Sequence, residues 1–441
     1  MRIKESPVRK MRQRAVALML GIIYYLALLN CYRFLIVPSF SYTGLNFFML
    51  PTWTWGVSII LSLLPLLWMP LNFTRASDFT SWILYLCLIF PANIFTFMIS
   101  RLPPDESIIL PIALNASFII FEYIRRKNLH FEFPYIKKST ILFDYFLPII
   151  TLTLTLVIVA QESFQFNFSI ADIYIRRMAS RNILSDSSIA SYLEAFLASV
   201  CVPVGIIYGL EKKNWRYIVV AIFAIVVIFS MKGSKGLFIS PLVFLTIYFL
   251  VSTDRRKIGL GILSIFTFLV VLSLFEELFA DSTIIASYFI RRKLVVPTQL
   301  TSFYWDFFSH NPFVMMQDSM LSWLIPGNSN YSIPRARLIG FEYLANVEIN
   351  ANANIWATGY ADFGYFGMIL SSILAAFTLQ IIDKLSTEGG RFAFASVCCA
   401  FIGLVWSETA FYTSFLSNGV LFLIIALWVY PSQHSQMPKL K

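Results

Sequence analysis

Apolar residues run through this chain in long blocks, separated by short polar or charged stretches. A hydrocarbon core about 30 Å thick needs roughly 20 apolar residues per helix. With that length, the pattern predicts spans near 15–37, 52–70, 79–100, 107–124, 140–160, 190–210, 217–231, 236–252, 258–280, 353–382, 392–408 and 412–430. The expected fold is an all-α polytopic membrane protein with about twelve transmembrane helices. Residues 1–441 form a single membrane domain, with a short outer loop at 161–189 and a large one at 281–352. Only Lys232-Gly-Ser-Lys235-Gly236 divides the seventh span from the eighth. Pro103-Pro104-Asp105 stops one helix, and Asp105 is placed to cap the next.

Composition strengthens this picture. The chain is 58% hydrophobic and 13% charged, against roughly half and a quarter in soluble domains. The net charge of +10 would suit a nucleic-acid surface, but its distribution does not. Lys and Arg gather in alternate loops: Arg75; Arg125, Arg126, Lys127, Lys137 and Lys138; Lys212, Lys213 and Arg216; Arg255, Arg256 and Lys257; Lys384 and Arg391; Lys439 and Lys441. That is the positive-inside pattern, and it places both termini in the cytoplasm. The basic N-terminus leads into an apolar run without a small-residue cleavage site, so a retained first helix is expected. The five cysteines lie in apolar runs and show no CxxC or Cys/His spacing, which argues against a disulfide framework or a zinc site.

Loops as long as the two outer ones are usually functional. Charges in or beside the membrane tend to mark sites. The first loop holds Arg176, Arg177 and Arg181 after Ile173-Tyr174-Ile175. The second holds Arg291, Arg292, Lys293, Arg335 and Arg337, with Lys235 at the same face. Guanidinium groups grip phosphate bidentately and lysine meets it as a point charge, so this cluster fits a substrate with phosphate or pyrophosphate. Salt bridges to loop carboxylates, or contact with lipid headgroups, would account for any one of these arginines equally well. Glu162, Asp172, Asp306, His310, Asp318, Glu342 and Glu348 face the same side, and any of them is a candidate base for a hydroxyl proton. Asn350-Ala-Asn352-Ala-Asn354 suits a capped turn entering a helix. Gly359, Gly364 and Gly367 then permit close helix packing around Tyr360 and Asp362.

Together these features resemble the Wzy-type polymerases, the bacterial O-antigen or exopolysaccharide repeat-unit polymerases. The likeness lies in the layout and in three stretches: Ile173 to Arg177, Lys232 to Gly236, and Asn350 to Gly367. It implies a membrane-embedded glycosyltransferase of the GT-C kind in the bacterial inner membrane. Such an enzyme works at the periplasmic face on undecaprenyl-pyrophosphate-linked oligosaccharide, with no nucleotide sugar, metal or other cofactor. A chain-length regulator is a further implied partner; nucleic acid is not. Arg176, Arg177, Arg291, Arg335, Arg337 and His310 are then the expected catalytic residues. Lys235, Arg292, Asn352, Asp362 and Tyr360 are expected to bind substrate. Fixed arginines would stabilise the charge that builds on the departing pyrophosphate. Some members carry an Arg-x10-Gly pattern in both outer loops; eleven residues beyond Arg176 stands Ser187, and beyond Arg335 stands Asn346. An O-antigen ligase or other lipid-linked-sugar transferase shares the layout. A lipid-linked-oligosaccharide flippase or other transporter, and a non-catalytic scaffold, remain as readings of a different class.

Overall fold

The computed structural model describes residues 7–129, 142–161, 193–194, 196–232, 235–253, 255–280, 282–319, 321–325, 329–389 and 391–431. The described residues form helices, turns and extended links, with no strand among them. The principal helices are α1 (Pro7–Cys31), α2 (Thr52–Leu63), α3 (Asp78–Ile99), α4 (Pro104–Arg125), α5 (Leu147–Gln161), α6 (Val202–Lys212), α7 (Trp215–Lys232) and α8 (Lys235–Thr253). They continue with α9 (Ile258–Ala280), α10 (Val296–Phe308), α11 (Arg335–Leu344), α12 (Ile355–Gly389), α13 (Phe392–Trp406), α14 (Phe411–Leu416) and α15 (Val420–Val429). Among the described residues, six helical stretches are long and apolar enough to cross a membrane: Pro7–Thr43, Asp78–Ile99, Pro104–Arg125, Phe143–Ala160, Ile258–Ala280 and Ile355–Thr387. This is an all-α membrane protein. Five further apolar helical stretches among the described residues, such as Phe392–Trp406, run over 10–17 residues.

Among the described residues, five π-helical segments punctuate the bundle: Tyr32–Ile36, Tyr85–Ile89, Leu142–Phe146, Leu197–Cys201 and Ala286–Val295. Each leads into a helix whose second residue is proline: Pro38, Pro91, Pro148, Pro203 and Pro297. Proline lacks the N–H for its own i→i−4 bond, and its ring crowds the carbonyl four residues back. Widening the preceding turns to i→i+5 relieves that clash without ending the helix. Pro104, by contrast, opens α4 after an extended Pro103, where no backbone donor is lost. Asp105 therefore lies in the first turn of α4 rather than at its cap, and its charge complements the positive helix end.

Two ends of the bundle are defined by α3. At one end Asp78 pairs with Arg125 at 3.0 Å, and Arg125 also pairs with Glu122 at 2.8 Å, all three fully or nearly buried. Arg75 donates to the carbonyls of Arg125 at 2.7 Å and Arg126 at 2.6 Å, and Ser77 N donates to Asp383 at 3.0 Å. This Arg125 end ties α3, α4 and α12 together. At the other end Asp306, on α10, accepts from Ser100 Oγ at 2.6 Å and Arg101 N at 2.7 Å.

α12 is not one continuous membrane helix, as the apolar run over 353–382 suggests. Phe363 (φ −143°) and Gly364 (φ +61°) leave the helical region. Trp356 Nε1 donates to Ser372 Oγ at 2.8 Å. An unbroken helix would hold those residues about 24 Å apart, so the chain doubles back. Residues 355–362 climb toward the Ser100 end, turn at 363–364, and 365–389 descend to the Arg125 end. A Cβ on Gly367 would fall 1.8 Å from the carbonyl oxygen of Gly359, so the two arms touch backbone to backbone. The close packing expected of these glycines is thus a contact between the arms of one hairpin. The left-handed φ at Gly364 suits the one residue type that adopts it without strain.

Candidate functional site

The first arm of α12 starts deep in the protein. Asn354 caps it, its Oδ1 accepting from Trp356 N at 2.9 Å and Ala357 N at 3.0 Å. Its Nδ2 donates to Thr301 Oγ1 at 2.6 Å, which fixes the cap to α10. Tyr304 on α10 donates to the carbonyl of Ala351 at 3.0 Å, securing the buried chain that leads in. Eight residues of helix separate Gly364 from Ser372, so the arm begins about 12 Å below the turn.

Residues 314–316 clamp the top of this arm. Val314 N donates to Ala361 O at 2.8 Å and Met316 N to Asp362 Oδ1 at 2.8 Å. Met315 and Met316 both have left-handed φ, +57° and +60°, a conformation that costs of order 1 kcal/mol or more for such side chains. The clamp presents Asp318 to Arg335. Arg335 Nε donates to both Asp318 oxygens at 2.9 Å, its backbone N adds a bond of 2.7 Å, and Nη2 lies 2.7 Å from Asp362 Oδ1. Nη1 reaches the carbonyl of Thr358 at 3.3 Å, and the guanidinium lies 6.0 Å from the Tyr412 ring centroid. Burial alone would raise the Asp318 carboxyl, but the bonds and charge of Arg335 hold it below its ordinary value. Burial likewise opposes the charge on Arg335, yet Asp362, Tyr412 and Asp318 together raise it well above the ordinary guanidinium value.

Arg335 and Asp362 therefore face each other, with their polar atoms committed to a buried strut. Arg337, Asn352 and His310 are exposed, and the His310 ring, just past the end of α10, lies 3.4 Å from the Asp306 carbonyl. Tyr360 is buried, stacked on Trp305 at 4.5 Å. Burial raises the Asp306 carboxyl against the opposing bonds from Ser100 and Arg101. Arg176 and Arg177 lie outside the described residues, as does the side chain of Lys235, whose backbone opens α8.

The Arg291-Arg292-Lys293 run lies on the π-helical segment Ala286–Val295, which packs against the middle of α3. Its three side chains diverge. Arg291 lies over the Phe40 ring at 4.1 Å, and its buried Nε has no hydrogen-bond partner. Arg292 is exposed. Lys293 Nζ is 2.6 Å from Glu408 Oε1. The predicted cationic cluster is thus split between a closed strut at Arg335 and an open strip at 291–293.

Glu408 is absent from the carboxylates picked out by sequence. It stands just past α13, two residues beyond Trp406, after an apolar run. The packing of α13 sets its depth. Thr80 donates to the carbonyl of Cys399 at 2.6 Å, and a Cβ on Gly403 would meet Ile83 at 3.0 Å. The two helices rise in the same register, which brings Glu408 level with about residue 88 of α3.

No family model, no curated protein and no solved structure matches this chain.

Proposed function

We propose that the chain is a membrane-embedded glycosyltransferase that polymerises lipid-linked oligosaccharide repeat units, the lipid carrying them through a pyrophosphate. The observation that carries the proposal is the open cationic strip. Arg291 keeps a buried donor without a partner, and Arg292 is exposed beside it. A buried unpaired donor is costly unless something arrives to accept from it, and a phosphate oxygen is the acceptor best matched to a guanidinium. The basic loops favour a cytoplasmic Arg125 end, and this reading sets the Ser100 end toward the periplasm of a bacterial inner membrane. On that orientation the strip lies beside the half of α3 nearer the face where lipid-linked sugars are elongated. Arg335 supports the site by holding the 314–318 clamp onto Asp362.

Deleting the gene should leave the surface glycan one repeat unit long. Arg291→Ala and Arg292→Ala should each abolish chain growth at a normal protein level. Wild-type chain length in the deletion strain would refute the proposal; full activity in both variants would remove the strip from it.

The hairpin in α12 favours a second reading, a carrier for the same lipid. Transporters build midplane sites from interrupted helices. A carrier predicts that deletion leaves no repeat unit at the cell surface, rather than a single one.

A further inference from the structure

We propose that Lys293 and Glu408 exchange partners during transfer: the substrate's pyrophosphate displaces Glu408 from Lys293, and the freed carboxylate takes the proton of the acceptor hydroxyl. The inference rests on the transferase reading above.

Depth and exposure carry it. The register of α13 on α3 puts Glu408 level with about residue 88, eleven residues below Ile99, so the pair lies about 16 Å below that end. The side chains are nonetheless 34% and 27% exposed. Charged groups facing hydrocarbon at that depth cost several kcal/mol, so the exposed side of the pair marks a polar opening. Two other ion pairs among the described residues are sealed, Arg125 at 0% with Asp78 at 4% and Arg335 at 6% with Asp362 at 4%, while the exposed Arg126 beside Glu122 lies at the Arg125 end rather than at mid-depth. The Lys293–Glu408 pair differs in another respect. It is held by one lysine contact, not by a guanidinium fork, and an ammonium has three donors to offer. The substrate's pyrophosphate, with one negative charge on each phosphate and two in all, is a stronger partner for that ammonium than a single carboxylate.

The step balances without a co-reactant. The bond from the sugar C1 to the pyrophosphate oxygen breaks, and its electron pair leaves with the phosphate, where Lys293 meets the charge. The acceptor oxygen bonds to C1. Its proton passes to Glu408, then to water, as Lys293 recovers its partner when the pyrophosphate departs. The ion pair keeps the base occupied until a donor substrate is seated.

The test uses the full-length chain in detergent with undecaprenyl pyrophosphate as the probe, alongside chain growth in a deletion strain. Lys293→Ala should weaken binding tenfold or more. Glu408→Gln keeps the shape and a hydrogen bond but removes the competing charge, so it should bind the probe several-fold more tightly while abolishing chain growth. The charge swap Lys293→Glu with Glu408→Lys restores an ion pair but should not restore growth. Glu408→Gln with wild-type growth or unchanged affinity overturns the proposal, as does a charge swap that restores growth, since either result makes the pair a strut. The transferase reading fails separately, if the wild-type chain binds no probe and its deletion leaves glycan length unchanged.

Discussion

Arg335→Ala tests whether the buried strut is a structural tie. The guanidinium holds Asp318 through Nε, Asp362 through Nη2 and the Thr358 carbonyl through Nη1. Its removal leaves two buried carboxylates facing each other with no cation between them. Breaking a buried pair in this way costs about 3–5 kcal/mol. The cost should fall locally, because the strut fastens residues 314–318 and the start of α11 to the first arm of α12. An opening free energy lowered by that amount speeds hydrogen exchange roughly a hundred- to a few-thousand-fold. The assay is exchange by mass spectrometry on purified protein, read at amides 314–318, 335–344 and 355–362. The triple variant Arg335→Met, Asp318→Asn, Asp362→Asn should recover much of the protection, since neutral groups of similar size remove the stranded charge. If Arg335 is instead a cation kept free for substrate, Arg335→Ala will leave exchange unchanged in all three segments and affect activity alone. That result would refute the strut.

Three further outcomes follow from the same geometry. Gly367→Ala should force the arms of α12 apart at a cost of about 3 kcal/mol or more, because the new Cβ meets backbone at 1.8 Å, while Gly56→Ala, with open space around it, should be neutral or stabilising; monodispersity in detergent separates the two. Asn354→Ala should cost about 1–2 kcal/mol through the lost cap, read as faster exchange at 355–362, whereas Asn354→Asp keeps the cap but loses the donor to Thr301 and buries a carboxylate in its place. Asp318 sits below its ordinary value of 3.8 in the folded protein, so its contribution is complete above that pH range and is lost as pH falls toward the lowered folded value. Asp318→Asn should flatten that acid-side loss in a melting-midpoint series. Asp306, raised by burial, acts with the opposite sign: its protonation favours the fold, and that contribution fades as pH rises through its folded value.

Much of the bundle is legible from apolar run length alone. The run at 258–280 returns as α9 with the same limits, and the run at 79–100 returns as α3 shifted by one residue. The π-helical segments are legible too, through X-Pro pairs inside apolar runs. Proline alone does not decide, however, since Pro241 lies inside α8, beyond its first turn. The re-entrant hairpin is harder to read. Residues 353–382 satisfy the hydropathy expected of one long helix, and hydropathy carries no direction. The local clue is Asp362-Phe363-Gly364, where a polar residue and a left-handed glycine coincide. Only tertiary contacts such as Trp356 with Ser372 reveal the reversal.

The charged groups show the deeper limit, because a sequence lists charges without pairing them. Arg335 finds its partners 17 residues upstream and 27 residues downstream, across a clamp and a hairpin that sequence reading does not anticipate. Arg291 and Lys293, two residues apart, point to different neighbours, since adjacent helical positions do not share a face. Glu408 is the clearest case. Its depth follows from the 15-residue length of α13, so the helix that lifts it stops halfway up α3. What separates a strut from a working pair is then the remaining exposure of each charge. Arg335 and Arg125 are sealed and multiply held, so substrate cannot reach them without unfolding their surroundings. Lys293 and Glu408 share one contact and an open side at a depth where open charge is expensive. A fold keeps such a pair when a ligand completes it, and the partner-exchange experiment measures that directly.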